Sequence, residues 1–189
     1  MSKEQFEHQL AYHCAPTLKG LKAASMVALT GSAQELVEGW LQRYRLCFER
    51  NGLQYLVLRE QKKHVLILLY RPEVLARLLR RPAAQKILRQ CGYLSLLSLE
   101  GLLEHLCQRF RELQGVPHEI GLFLGYPPHD VAGFIHHQGK NFIFSGFWKV
   151  YANELALRKL FMAYESCTRQ FCQELAKGAS LQSMVRRTA

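Results

Sequence analysis

The chain has 189 residues, 49% of them apolar, enough for one hydrophobic core and too few to expect two domains, so residues 1–189 read as a single domain. Its longest apolar run, Val65 to Tyr70, falls far short of the roughly 20 residues of a membrane span, and the N-terminal MSKEQFEHQLAYH lacks an apolar signal core. These features exclude a transmembrane or signal-peptide reading and set the expectation of a soluble, cytoplasmic protein, while a net charge of +10 admits an anionic partner.

Phe6, Leu10 and His13 recur at helical spacing, and Pro16 is expected to end or restart that first helix. Residues 23–29, AASMVAL, read as a short buried strand. Ser32 and Glu35 then form the S-x-x-E signature of a helix start, followed by an apolar face of Leu36, Val37, Trp40, Leu41, Tyr44, Cys47 and Phe48. Asn51-Gly52 closes that helix, and the apolar runs Leu53 to Leu58 and Val65 to Tyr70 around a charged turn predict a hairpin. Pro72 and Pro82 each suit the first turn of a short helix, and Leu99 to Leu113 predicts another with Leu102, Leu103, Leu106 and Phe110 inward.

In the last third, Ile120 to Leu124 reads as a buried strand, Pro128 to His137 as a short helix and Asn141 to Ser145 as another strand. A long helix is expected from Asn153, its N-cap, to about Leu175, with Leu157, Leu160, Phe161, Tyr164, Thr168, Phe171 and Leu175 on one face. The element order implies an α+β or α/β fold, a four- or five-stranded sheet covered by helices.

The six cysteines include no C-x-x-C pair, and a chain of this size is stabilised by burial, so reduced thiols are expected. Between Arg43 and Arg89 twelve Lys and Arg oppose three Glu, which reads either as a solvated basic face or as a surface for nucleic acid or an acidic protein. The aromatic residues of that stretch, Tyr44, Phe48, Tyr55 and Tyr70, fall mostly on core positions, which disfavours base stacking.

Three segments stand apart: HCAPTLKGLK at 13–22, PHEIGLFLGYPPHDVAGFI at 117–135 and GFWKVYAN at 146–153. Together they resemble an uncharacterised bacterial family of unknown function whose members are single domains of about this length. The resemblance spans nearly the whole chain and implies a bacterial, cytoplasmic protein connected with iron or redox physiology. Ala23-Ala24-Ser25 departs from the Pro-Ala-Asn that often follows Gly-x-Lys in that family.

Chemistry in these segments has several readings. His118 and Glu119, neighbours on a predicted strand, point to opposite faces, which makes His118 a candidate site residue and Glu119 a structural one. Pro127 and Pro128 remove two amide donors, and Asp130 puts negative charge in the next helical turn, so a phosphate loop is excluded there. Asp130 then either stabilises the helix start or serves as acid/base. His129 and His136 lie two turns apart, about 10 Å, too far to share a metal ion.

Trp148, Lys149 and Tyr151, with Tyr126 and Asn153, are candidates for binding a planar or anionic ligand, set against ordinary core packing. Cys14 beside His13 is a candidate nucleophile, and Cys14 with His118 a candidate pair of metal ligands. The leading expectation is therefore a small ligand-binding or accessory protein with an iron- or redox-linked ligand or a redox partner such as a flavodoxin-like protein. Its site is expected where 117–135 meets 146–153. A cofactor-free enzyme using His118, Asp130 and Cys14 is the alternative, and binding of nucleic acid or an acidic protein through the Arg43 to Arg89 region is a third.

Overall fold

The computed structural model describes residues 1–32, 34–94 and 98–186, and it is α+β, as the order of elements predicts. Helix α1 (Lys3–Leu18) starts at a reciprocal cap: Ser2 Oγ accepts from the Gln5 amide while the Ser2 amide donates to Gln5 Oε1. The helix does not break at Pro16 but runs through it to Leu18. Pro16 forgoes its own amide bond, and its carbonyl accepts from the amides of Leu21 and Lys22, which close the helix end.

Strand β1 (Ala24–Thr30) follows, then a π-helical stretch, Gln34–Leu41, that continues into α2 (Gln42–Arg50). Ser32 Oγ accepts from the Glu35 amide, as the S-x-x-E spacing predicts. Strands β2 (Gln54–Gln61) and β3 (His64–Tyr70) form the expected hairpin, with a bulge between Val57 and Arg59. The sheet has the order β1-β3-β2 and is antiparallel throughout. As the central strand, β3 is buried along most of its length, hence its nearly unbroken apolar sequence.

Helices α3 (Pro72–Leu79), α4 (Pro82–Gln90) and α5 (Leu99–Glu112) lie where the prolines and apolar spacing place them. Residues 120–124, expected as a strand, instead form the helical turn α6 (Ile120–Phe123). Ile120 to Leu124 are all buried, and a helical turn buries a five-residue apolar run on every side as readily as a strand does. Gly125, at φ 84°, closes the turn, letting the Tyr126 amide reach back to the Gly121 carbonyl.

Helix α7 (Pro128–His136) starts at the expected Pro128 and ends one residue short of the expected His137, which caps it. The strand expected over 141–145 shrinks to β4 (Phe144–Ser145), paired with β5 (Lys149–Val150), because Asn141 is left-handed at φ 56° and cannot continue an extended strand. The five strands are thus divided between a three-stranded sheet and this two-stranded one. Asn153 precedes α8 (Glu154–Ala176) at φ 54°, not in the extended backbone usual for a side-chain N-cap, and its carbonyl accepts from the Leu157 amide. Of the face expected on α8, Leu157, Phe161, Tyr164 and Phe171 are buried and Leu160 is exposed. A last turn, α9 (Leu181–Met184), follows.

The chain divides into two compact units: residues 1–72 with 164–189, and residues 73–163. The first holds the three-stranded sheet and a core from Phe6, Leu10, Val27, Leu41, Phe48, Ile67, Leu69 and Phe171, among others. At its centre Arg71, 1% exposed, donates to the carbonyls of Thr17, Leu18, Asn51 and Arg186. Arg71 therefore leaves the basic surface expected between Arg43 and Arg89, and the rest of that stretch is shared between the units at Pro72. All six cysteines are free thiols, and no helix among the described residues is long and apolar enough to cross a membrane.

Candidate functional site

The 117–135 and 146–153 segments meet inside the second unit, and glycine makes the meeting possible. A Cβ on Gly121 would stand 2.6 Å from the Trp148 ring, and one on Gly133 would stand 2.5 Å from Tyr151 Cγ. Trp148 stacks on Tyr126 at 5.0 Å between centroids and packs against Phe134 at 4.9 Å. Tyr126 donates to the Phe147 carbonyl, and His137 stacks on Tyr151. Most of the unusual residues in these segments thus lock two stretches of chain together.

Asp130 completes that lock. It is 1% exposed, and its Oδ1 accepts from the amides of Tyr151, at 2.7 Å, and Ala152, at 3.1 Å. Its negative charge serves a loop 21 residues away in addition to its own helix start. Oδ2 has no hydrogen bond, although His129 Nε2 lies 3.3 Å away, near enough for an ion pair when the imidazole is protonated. Trp148 Nε1 and Tyr151 Oη are likewise buried without a hydrogen bond, and burial, with Asp130 nearby, raises the Tyr151 phenol.

Lys149 Nζ donates to the Gly139 carbonyl at 2.6 Å and lies over the rings of Phe142, at 4.9 Å, and Phe134, at 5.7 Å. It is held by a carbonyl and two aromatic faces, where sequence alone left a carboxylate or ligand open.

His118 and Glu119 take opposite situations, through a helical turn and not a strand. Glu119 is 1% exposed and accepts from Arg109 Nε at 2.8 Å and from Tyr93 Oη at 3.4 Å. Burial, then the Glu119 charge, raises the Tyr93 phenol, and the hydrogen bond to Glu119 raises Arg109. His118 is exposed, its ring edge-on to Phe134 at 5.0 Å. It lines a cavity of about 360 Å³ with Cys91, Arg109 and Ile135. The Cys91 thiol is pushed up to about 11, mainly by burial, so it is protonated at neutral pH.

A second cavity, about 260 Å³, lies on the other side of the motif, between the α3–α4 junction and the turn into α7. Leu78, Ala84, Leu122 and Pro127 give it apolar walls, Tyr126 an aromatic one, and Arg81 and His129 line it as well. No carboxylate among the described residues pairs with Arg81. Both α4 and α7 begin at this cavity, but the Asp130 carboxylate in the first turn of α7 offsets the positive end of that helix, so it is the α4 end that adds to the guanidinium. The Asp130 and Val131 amides are spent on the Pro127 carbonyl, so side chains would have to hold an anion at the α7 end. Sequence reading takes His129 only as a rejected metal partner of His136 and Arg81 only as part of the Arg43 to Arg89 basic stretch, since nothing local brings the 80s to the 120s.

Cys14 belongs to the first unit, while His118 and Asp130 belong to the second. It is fully buried, and burial pushes its thiol up to about 12 despite the nearby Lys22, which argues against a nucleophile or a thiolate ligand. Lys22 in turn is lowered by burial to about 8 and lies 5.9 Å over the Tyr164 ring. Among the described residues no three His, Cys, Asp or Glu side chains gather as a metal site.

The model of DUF3793, a family described as proteins of unknown function, matches residues 10–185, and the chain belongs to that family. No curated protein and no solved structure matches it significantly.

Proposed function

We propose that this DUF3793 protein binds a small organic anion with an apolar body in the cavity between Arg81 and His129. One observation carries this reading: a guanidinium with no carboxylate partner among the described residues lines an apolar-walled cavity at which helix α4 begins. Arg81 would hold the anionic group in a two-point grip, Tyr126 and the prolines would cover the apolar part, and a protonated His129 would add charge.

The tests are calorimetry and thermal shift with a panel of aliphatic and aromatic monocarboxylates and phosphate monoesters. Arg81→Ala is expected to weaken binding about tenfold or more, the loss of one charge-assisted contact. Lys140→Ala, at an exposed cation outside the cavity, is expected to leave binding unchanged. A panel without a binder, or a binder indifferent to Arg81→Ala, overturns the assignment.

A further inference from the structure

Residues 131–153, VAGFIHHQGKNFIFSGFWKVYAN, contain no Asp or Glu, two Lys and six Phe, Trp or Tyr rings. Some of these rings serve the packing already described: Trp148 lies against Tyr126 and Phe134, and Phe144 lies against Phe161. Around the β4–β5 hairpin, Phe142 is 41% exposed, Ile143 57% and Phe147 43%, the last also packing edge-on against Phe161 at 5.6 Å. Three large apolar side chains at the ends of one small hairpin are more than scattered surface hydrophobicity.

Cations accompany them. Lys149 is held over Phe142, Arg158 lies 3.8 Å over the Phe144 ring, and Lys140 is exposed one residue before Asn141. Arg158 is balanced by Glu154, whereas no carboxylate among the described residues pairs with either lysine. Apolar and aromatic side chains with ammonium groups beside them suit the boundary between acyl chains and anionic headgroups, where rings enter and ammonium groups stay with the phosphates.

The geometry points to an anionic lipid bilayer as the partner of this hairpin, docked peripherally through Phe142, Ile143 and Phe147 with the exposed Lys140 at headgroup level. The strands favour a bilayer over another protein. Each is two residues long, too short to add a strand from a second copy or from an extended peptide. A bilayer needs no matching edge, and the +10 charge of the chain draws it to an anionic surface. Apolar insertion and electrostatic attraction are the two signals that stable peripheral binding requires. This inference is independent of the Arg81 cavity.

The test is co-sedimentation of the full chain with vesicles of phosphatidylcholine alone or with roughly 30% phosphatidylglycerol, a typical anionic mixture. Binding is expected only to the anionic vesicles, weaker as salt rises. The double variant Phe142→Ser/Ile143→Ser is expected to bind about tenfold more weakly, since it removes the apolar insertion and leaves the charge. Its melting temperature checks that it is folded, and Lys140→Glu, altering only an exposed charge, is expected to weaken binding severalfold by the same electrostatics. Absence of binding to anionic vesicles overturns the proposal. Equal binding by the double variant also overturns it, assigning the attraction to charge elsewhere on the chain. Self-association of the wild type that the double variant abolishes overturns it as well, in favour of a second copy.

Discussion

The two units satisfy their buried polar groups differently. In the first, Arg71 meets four carbonyls, Thr17 and Ser25 share a hydrogen bond and Tyr44 donates to Glu7. In the second, His105 Nε2, Asp130 Oδ2, Trp148 Nε1 and Tyr151 Oη are buried without a hydrogen bond, and no such side-chain atom occurs among the described residues of the first. Native proteins leave few buried polar groups unpaired, and those that remain concentrate where something else is to be bound or moved. The contrast leaves the unspent buried polar groups of the described residues in the second unit, where the proposed site lies.

The two tryptophans allow a direct test, since Trp40 lies in the first unit and Trp148 in the second. Single-tryptophan variants, Trp148→Phe and Trp40→Phe, let urea unfolding be followed at each. The largest expected effect is Arg71→Met, which strips the donor from the carbonyls of Asn51 and Arg186. Those of Thr17 and Leu18 retain one backbone donor each, from Gly20 and Arg186. We expect a loss of about 3 kcal/mol at the Trp40 transition, for two orphaned acceptors and lost packing. Identical midpoints from both tryptophans in every variant would dissolve the contrast into one cooperative structure.

Gly133→Ala is expected to cost less. The new methyl would meet Tyr151 at Cγ and Cβ, atoms too near the backbone to swing aside, and overpacking of this kind costs about 1–3 kcal/mol. The better helix propensity of alanine returns about 1 kcal/mol, leaving a net loss of about 1–2 kcal/mol at the Trp148 transition. An unchanged transition would mean that the two motif segments are less tightly locked than Gly133 and Tyr151 indicate.

The smallest effect is a pH dependence in the first unit. Lys22 is lowered to about 8 from its ordinary 10.5, so above pH 8 the unfolded chain binds this proton more tightly and stability rises with pH. Cys14, raised to about 12 from 9, acts oppositely above pH 9, where the native thiol keeps a proton that the unfolded chain releases. The Lys22 contribution between pH 8 and 9 amounts to at most about 1 kcal/mol, the value of one pH unit for one proton, and Cys47, Cys167 and Cys172, also raised by burial, oppose it, so it is read as the difference between wild type and Lys22→Met. Wild type should gain on Lys22→Met between pH 8 and 9, and pH profiles that run parallel would place the dependence in other groups.

How far the sequence could be read depended on the range of the interactions involved. Helix starts at Pro72, Pro82 and Pro128, the 54–70 hairpin and the inward faces of α2 and α5 rest on neighbours a few residues apart, and periodicity and turn residues make them legible. The turn at 120–124 was misread because a five-residue apolar run carries no period. The motif glycines were visible, but not the side chains that fill the space beside them. Asp130 binding amides 21 residues away, Arg71 gathering carbonyls from four parts of the chain, and Arg81 and His129 lining one cavity are contacts between distant segments. Composition and spacing determined the elements and much of the core. Only the tertiary structure decided which polar groups pair and which stay open, because those partners meet only once the chain has folded.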